Sequence, residues 1–413
     1  MDVITDTTKL NGFFKNKYTK KLIDAIPESA KFSGQIPFSK AEKIGNAYKV
    51  PVELAMEAGV TYAAAGAGAF DLEDAEAGEM KEASVDGSQY LIKGMIDYEA
   101  AAKAVAEGEE AFGNSGGRLV KRMTKAIYKR IELSALYGGT SLATVSSNVG
   151  GGIIAITTAT WATGIWVGMR NSKLDCYDTI AYGTQRNSVG ALKISFINVS
   201  ARRLTLTGDA GDLSAIGAGD VLVFRGAADN EMAGLDKIVT NTGLLFGINA
   251  ATYELWAGNT YALGSVALTL ARLNQAIADA VGKGLDEKAT VFVNPRTWGN
   301  LMSDQAALRK YDARYESGKS TNGFRSLVMY SQNGELEIVP HTMIKEGEAF
   351  VIPLDRWKKV GATDVTAQVP GRGDEFFKHM EAKAGYELRM YANLAVFCEA
   401  PGFCTKITGI VNA

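Results

Sequence analysis

Two histidines and three cysteines are the side chains best suited to metal or nucleophilic chemistry in this chain of 413 residues. Their spacing supports neither. His341 and His379 lie far apart, and neither belongs to an HExxH pattern; each reads as a structural residue. Cys176 stands alone and Cys398 is six residues from Cys404, so neither a CxxC zinc pattern nor a disulfide framework is available. The two C-terminal cysteines sit among apolar neighbours and read as buried packing. Ser317-Gly318-Lys319-Ser320-Thr321 has the letters that end a phosphate-binding loop, but Ala313 stands where the first glycine is required, and no apolar strand leads in. Asp71, Glu73, Asp74 and Glu76 offer carboxylates, yet no register supplies the remaining oxygen ligand and the glycine of a calcium loop, so they read as a solvated acidic segment. Arg372-Gly373-Asp374 reads as a Gly-rich turn, and Asn198-Val199-Ser200 is a glycosylation sequon by letters only. No GxSxG or SxxK arrangement occurs in a usable context. No catalytic, cofactor-binding or metal-ligating residue is assigned, and an enzyme reading has no anchor.

Composition narrows the class. The net charge is −2, hydrophobic residues make up 46% and charged residues 22%, which excludes a disordered chain and a strongly basic nucleic-acid binder as whole-chain descriptions. The N-terminus lacks a basic region followed by an apolar run, so no export signal is read there. Leu133 to Met169 has no charge, but its most apolar part is broken by Gly and Thr into turns and short strands rather than a spanning helix. An intracellular protein without a membrane segment is expected.

The elements that would carry any function follow from periodicity. Residues 1–43 read as an arm, basic over its first half through Lys9, Lys15, Lys17, Lys20 and Lys21. Period-2 alternation at Tyr48–Leu54 and again at Tyr90–Tyr98 predicts the two arms of a long hairpin over 44–98, with Pro51 marking an edge strand. A two-stranded excursion of that kind is not stable alone in water, so a partner is expected. Residues 117–137 form the clearest helix, with Met123, Ile127 and Ile131 in line, Arg118, Lys121, Arg122, Lys125 and Lys129 on the other sides, and Gly138-Gly139 as its stop. From 155 to 264 short apolar runs alternate with Gly and Asp turns, predicting a small β barrel or sandwich inserted into an α+β host, with Gly150–Gly152 and Gly264 as joints. A helix is predicted at 268–281. Thr290–Val293 reads as a strand and Asn294-Pro295 as the capped start of the next helix. Tyr386–Val396 reads as a long strand.

Charge is segregated along the chain. Glu42 to Gly117 holds 15 acidic residues and 5 lysines, a net of −10, while the stretch from Arg118 to Arg130 holds six basic residues and no acidic one. Such a layout supplies unlike surfaces that could steer copies together.

This order of parts resembles the Hong Kong 97-type major capsid proteins of tailed bacteriophages. The resemblance rests on the long helix ending in Gly-Gly-Thr (Leu119–Thr140) and on the strand–Asn-Pro–helix segment ATVFVNPRTWGNLMSD at 289–304. It covers about three-quarters of the chain and departs at the β-rich 155–264 segment. It implies a non-enzymatic α+β protein: N-terminal arm 1–43, extended loop 44–98, peripheral domain 99–154 with its spine helix, insertion domain 155–264, axial domain 265–385 and returning strand 386–413. It also implies hexamers and pentamers closing into an icosahedral head around double-stranded DNA held without sequence reading, in a virion assembled in the host cytoplasm. Implied partners are a separate scaffolding protein, a portal at one vertex and room for a decoration protein, with no cofactor and no membrane. An encapsulin shell is the related alternative, and an enzyme with an unrecognised site the alternative of another class.

Overall fold

A computed structural model describes residues 31–40, 47–99, 115–308, 327–367, 377–380 and 383–412. The basic arm before Lys31, the Ser317–Thr321 loop and Arg372–Asp374 lie outside the described residues.

The long helix spans Ser115–Tyr137. Its apolar residues recur every three or four positions, and Met123, Ile127, Ile131 and Leu136 are buried. Gly138 ends it because nothing larger fits: a Cβ there would sit 2.2 Å from the Met232 carbonyl oxygen. Gly139 then takes the left-handed conformation, φ 71°, that turns the chain away. Against this helix lies a strand, Ser88–Asp97, whose Gly94 leaves space for Met123 and Leu119.

That strand corrects the hairpin expected from the alternation. Tyr48–Ala55 pairs with Glu79–Val85, from Tyr48↔Val85 to Ala55↔Glu79, and not with the run at 90–98. Asp86-Gly87 ends the hairpin arm and delivers the chain to a second sheet, where Ser88–Asp97 pairs with Gly385–Cys398 over ten residue pairs. The physical reason is close packing at the turn, since a Cβ on Gly87 would lie 2.1 Å from Asn393 Oδ1. Period 2 marked both runs correctly as strands, but it carries no information about which strand each one joins. The sheet built on Gly385–Cys398 also takes Trp357–Thr366, Phe377–His379 and, in parallel at its margin, Phe38–Lys40.

The β-rich segment divides. Six strands, Ala143–Gly150, Ile153–Ile156, Lys173–Tyr177, Leu192–Asn198, Arg203–Thr207 and Val221–Phe224, close into a barrel filled by Val145, Ile154, Leu174, Leu192, Ile194 and Leu204 among others. Gly150–Gly152, all at positive φ, make a tight turn inside this barrel, between its first two strands, rather than a joint ahead of it. Asn259–Val266 is not a barrel strand; it pairs in parallel with Thr405–Ile410.

It thereby enters a six-stranded sheet in the order Asn259–Val266, Thr405–Ile410, Glu348–Ile352, Ala289–Val293, Gly334–Pro340, Leu327–Ser331. Ala289–Val293 has a neighbour on each side and all five residues are buried, which explains its uninterrupted apolar run. The expected helix at 268–281 is two pieces, Leu270–Ala276 and Ala278–Gly282, meeting at Ile277. Asn294 caps Pro295–Leu308, its Oδ1 accepting from the Arg296 N–H at 3.0 Å. Among the described residues no helix is long and apolar enough to cross a membrane.

Candidate functional site

The residues with chemical potential are placed apart and put to packing. His341 is fully buried. Its Nδ1 accepts from the Met343 N–H at 3.1 Å, which leaves Nε2 to donate to Glu132 Oε1 at 2.7 Å. Glu132, also fully buried, accepts in addition from the backbone N–H groups of Lys31 (3.0 Å), Phe32 (2.8 Å) and Ser33 (2.8 Å). Burial pushes the Glu132 carboxyl up, but the hydrogen bonds from His341, Ser33 and Phe32 outweigh it, so the group is held below the usual carboxylate range. The arrangement is a clasp. It fastens the segment entering at Lys31 to the long helix and to the loop after Pro340.

A second buried charge group joins the short helix Leu235–Val239 to the six-stranded sheet. Lys406 Nζ meets Asp236 Oδ1 at 2.5 Å and Glu348 Oε1 at 3.0 Å. Burial disfavours the Lys406 cation, yet Glu348 and Asp236 more than restore it and its pKa is raised. Lys345, wholly buried beside them, donates to the Ser141 carbonyl at 2.9 Å and lies over the Tyr137 ring at 3.9 Å, and burial lowers its pKa. Two cations and two carboxylates thus balance inside the fold. Sequence reading missed both groups; the signal that could have found one is Glu132, the single charge in the run Ile131–Tyr137.

The cysteines are buried and reduced, with Cys398 Sγ 3.8 Å from Cys404 Sγ. His379 lies in the strand Phe377–His379, opposite Tyr386 and remote in sequence from the clasp. Among the described residues no group of three His, Cys, Asp or Glu side chains is placed to hold a metal ion.

What the structure leaves unpartnered is surface. Residues 56–78 of the hairpin are exposed almost throughout, with Met56 and Tyr62 each 91% accessible and Phe70 and Leu72 alongside. Asp71, Glu73, Asp74 and Glu76 stand among them, and none forms an ion pair with a described residue. The long helix is less openly basic than its letters imply. Lys121 and Arg122 are exposed, but Lys129 is 9% accessible, because it reaches back to donate to the Val167 carbonyl, and Arg130 lies over the Phe224 ring at 3.3 Å. Burial, helped by Arg130, lowers Lys129 to about 8.

Comparison with known proteins gives these surfaces a context. Residues 215–400 match the family model of the SU10 major capsid protein. A capsid chain of cyanophage A-1(L) superposes with a TM-score of 0.54 at 12% identity, covering 98% of this chain and 99% of that one. The chain shares the fold of that capsid chain over nearly its whole length. Capsid chains of cyanophage Pam1 (TM-score 0.48, 11% identity, 96% and 97% covered) and bacteriophage PhiM1 (0.48, 9%, 95% and 90%) are similar too. No curated protein matches. The clasp and the buried charge group hold together the elements that carry the exposed surfaces.

Proposed function

We propose that this chain is the shell subunit of a Hong Kong 97-like phage head, assembling as hexamers and pentamers into an icosahedral shell around double-stranded DNA. The observation that carries the proposal is the whole-length likeness to a phage capsid chain on a sequence that also matches a major capsid family over 215–400. The work of such a protein is interface formation, so the absence of an assigned active-site constellation costs the reading nothing. In this reading 44–98 is the extended loop, Ser115–Tyr137 the spine helix, the barrel an insertion domain, and the six-stranded sheet the axial domain. Exposed apolar side chains at Met56, Tyr62, Phe70 and Leu72 are costly to leave in water and favour burial against a neighbouring subunit. A scaffolding protein during assembly and a portal at one vertex complete the expected partners. DNA is met through phosphate charge alone.

Expression of the chain with its scaffolding protein, followed by negative-stain electron microscopy and sedimentation, tests this. Closed shells of uniform diameter are expected. A chain that stays monomeric with and without scaffold, or whose assemblies are open filaments, contradicts the proposal.

A further inference from the structure

The barrel carries a row of unpaired cations that the fold itself does not use. Lys193 and Lys173 are directly opposed across adjacent antiparallel strands. Arg225 continues the row on the third strand, since Phe224 faces Leu174 and the Arg225 N–H donates to the Lys173 carbonyl at 3.1 Å. Arg170 stands at its end, because Asn171 donates to the carbonyl of Ile194, next to Lys193. All four side chains are exposed, and none forms an ion pair with a described residue. Neighbouring strands are about 4.8 Å apart, and like charges facing each other at that spacing destabilise a sheet. An anionic partner spanning the row removes that penalty.

The same chain displays an anionic segment of matching size. Asp71, Glu73, Asp74 and Glu76 fall within six residues, are exposed, and are likewise unpaired among the described residues. They sit on the exposed loop of a two-stranded hairpin whose base packs on the fold through Leu54, Ala83 and Val85, beside the exposed rings of Tyr62 and Phe70. We infer that the barrel face formed by Arg170, Lys173, Lys193 and Arg225 is a docking site for the acidic hairpin segment of a second copy of this chain. Four cations meet four carboxylates, and the aromatic side chains beside the carboxylates lose their water at the same contact. This rests on the proposed assembly function and adds to it the surface that receives the hairpin.

The test is a charge-swap cycle on the full-length chain. The variant K173E/K193E/R225E changes only exposed side chains, and circular dichroism and thermal melting of the unassembled subunit check that it folds. Assembly is followed by light scattering at low salt. The triple variant should assemble at least about tenfold more slowly, the lower end of what electrostatic steering contributes to association. D71K/E73K/D74K should be slow as well, and mixing the two variants should restore much of the rate, because each then supplies a complementary surface to the other. Normal assembly of the triple variant, or no rescue on mixing, overturns the docking site while leaving the shell function standing. Loss of duplex-DNA binding by the triple variant with its assembly unchanged overturns it in favour of a nucleic-acid face. Absence of shells from the unmodified chain removes the assembly function, and the docking site with it.

Discussion

Replacing Glu132 by alanine removes the acceptor for four donors at once, the N–H group of Lys31 at the surface and three buried ones: the N–H groups of Phe32 and Ser33, and His341 Nε2–H. Each orphaned donor costs roughly 1–3 kcal/mol, but the sum overstates the loss because the buried carboxylate carried a desolvation penalty of its own. A net destabilisation of about 3–5 kcal/mol is expected, the range seen when one partner of a buried charged pair is deleted. Urea unfolding of unassembled subunits, followed by circular dichroism, measures it. His341→Ala should cost less, since three of the four acceptor contacts of Glu132 survive, and the double variant should fall well short of additivity. The segment from Lys31 should also become sensitive to protease in Glu132→Ala. A loss below about 1 kcal/mol, or strict additivity with His341→Ala, refutes the clasp.

The remaining predictions follow from the same contacts. Glu132 titrates below its ordinary value of 4.5 in the folded chain, so its contribution is present above about 4.5 and is lost as pH falls through the lower folded value. The unfolding free energy of the native subunit should therefore drop more steeply below pH 4.5 than that of Glu132→Gln, and parallel curves would be contrary evidence. Lys129 is depressed from 10.5 to about 8, so between those values the unfolded chain binds the extra proton and stability attributable to this group rises with pH. Relative to Lys129→Met, the native chain should gain about 1–3 kcal/mol between pH 8 and 10 in chemical denaturation, and no relative gain would count against burial of the ammonium. Ala58 N–H bonds to the Glu76 carbonyl at 3.0 Å, which brings the ends of the hairpin loop together, so excising residues 59–76 should leave a folded subunit by circular dichroism and no shells by sedimentation. Shell assembly should slow as salt rises, while finished shells, held mainly by apolar burial, persist; a rate indifferent to salt would remove the steering.

The features legible in the sequence were those set by local rules. The long helix announces itself through Met123, Ile127 and Ile131 and its Gly-Gly stop, and Asn294-Pro295 announces the helix that follows Ala289–Val293. What local rules do not contain is partner choice. Glu79–Val85 proved to be the hairpin arm, and it was hidden in an acidic stretch because four of its seven residues are exposed and three of those carry charge. Tyr90–Asp97 alternates well for a different reason, its position between the long helix and Gly385–Cys398. The strands Ala143–Gly150 and Asn259–Val266 were misplaced by texture, since a Gly triplet that looks like a joint is equally suited to a tight turn within a barrel. The candidate site was legible only as charge: the acidic hairpin segment is visible in the letters, whereas Lys173, Lys193 and Arg225 are far apart in sequence and meet only when their three strands pair. The clasp likewise required the fold, because Glu132 and His341 are 209 residues apart.

The measurement that bears most directly on shell formation is a cryo-electron microscopy reconstruction of particles assembled from this chain with its scaffolding protein. Icosahedral particles of hexamers and pentamers, with residues 56–78 of each subunit lying on a neighbour, are the predicted result. Particles without that symmetry, or subunits whose hairpin loops stand free in solvent within a closed shell, would contradict it.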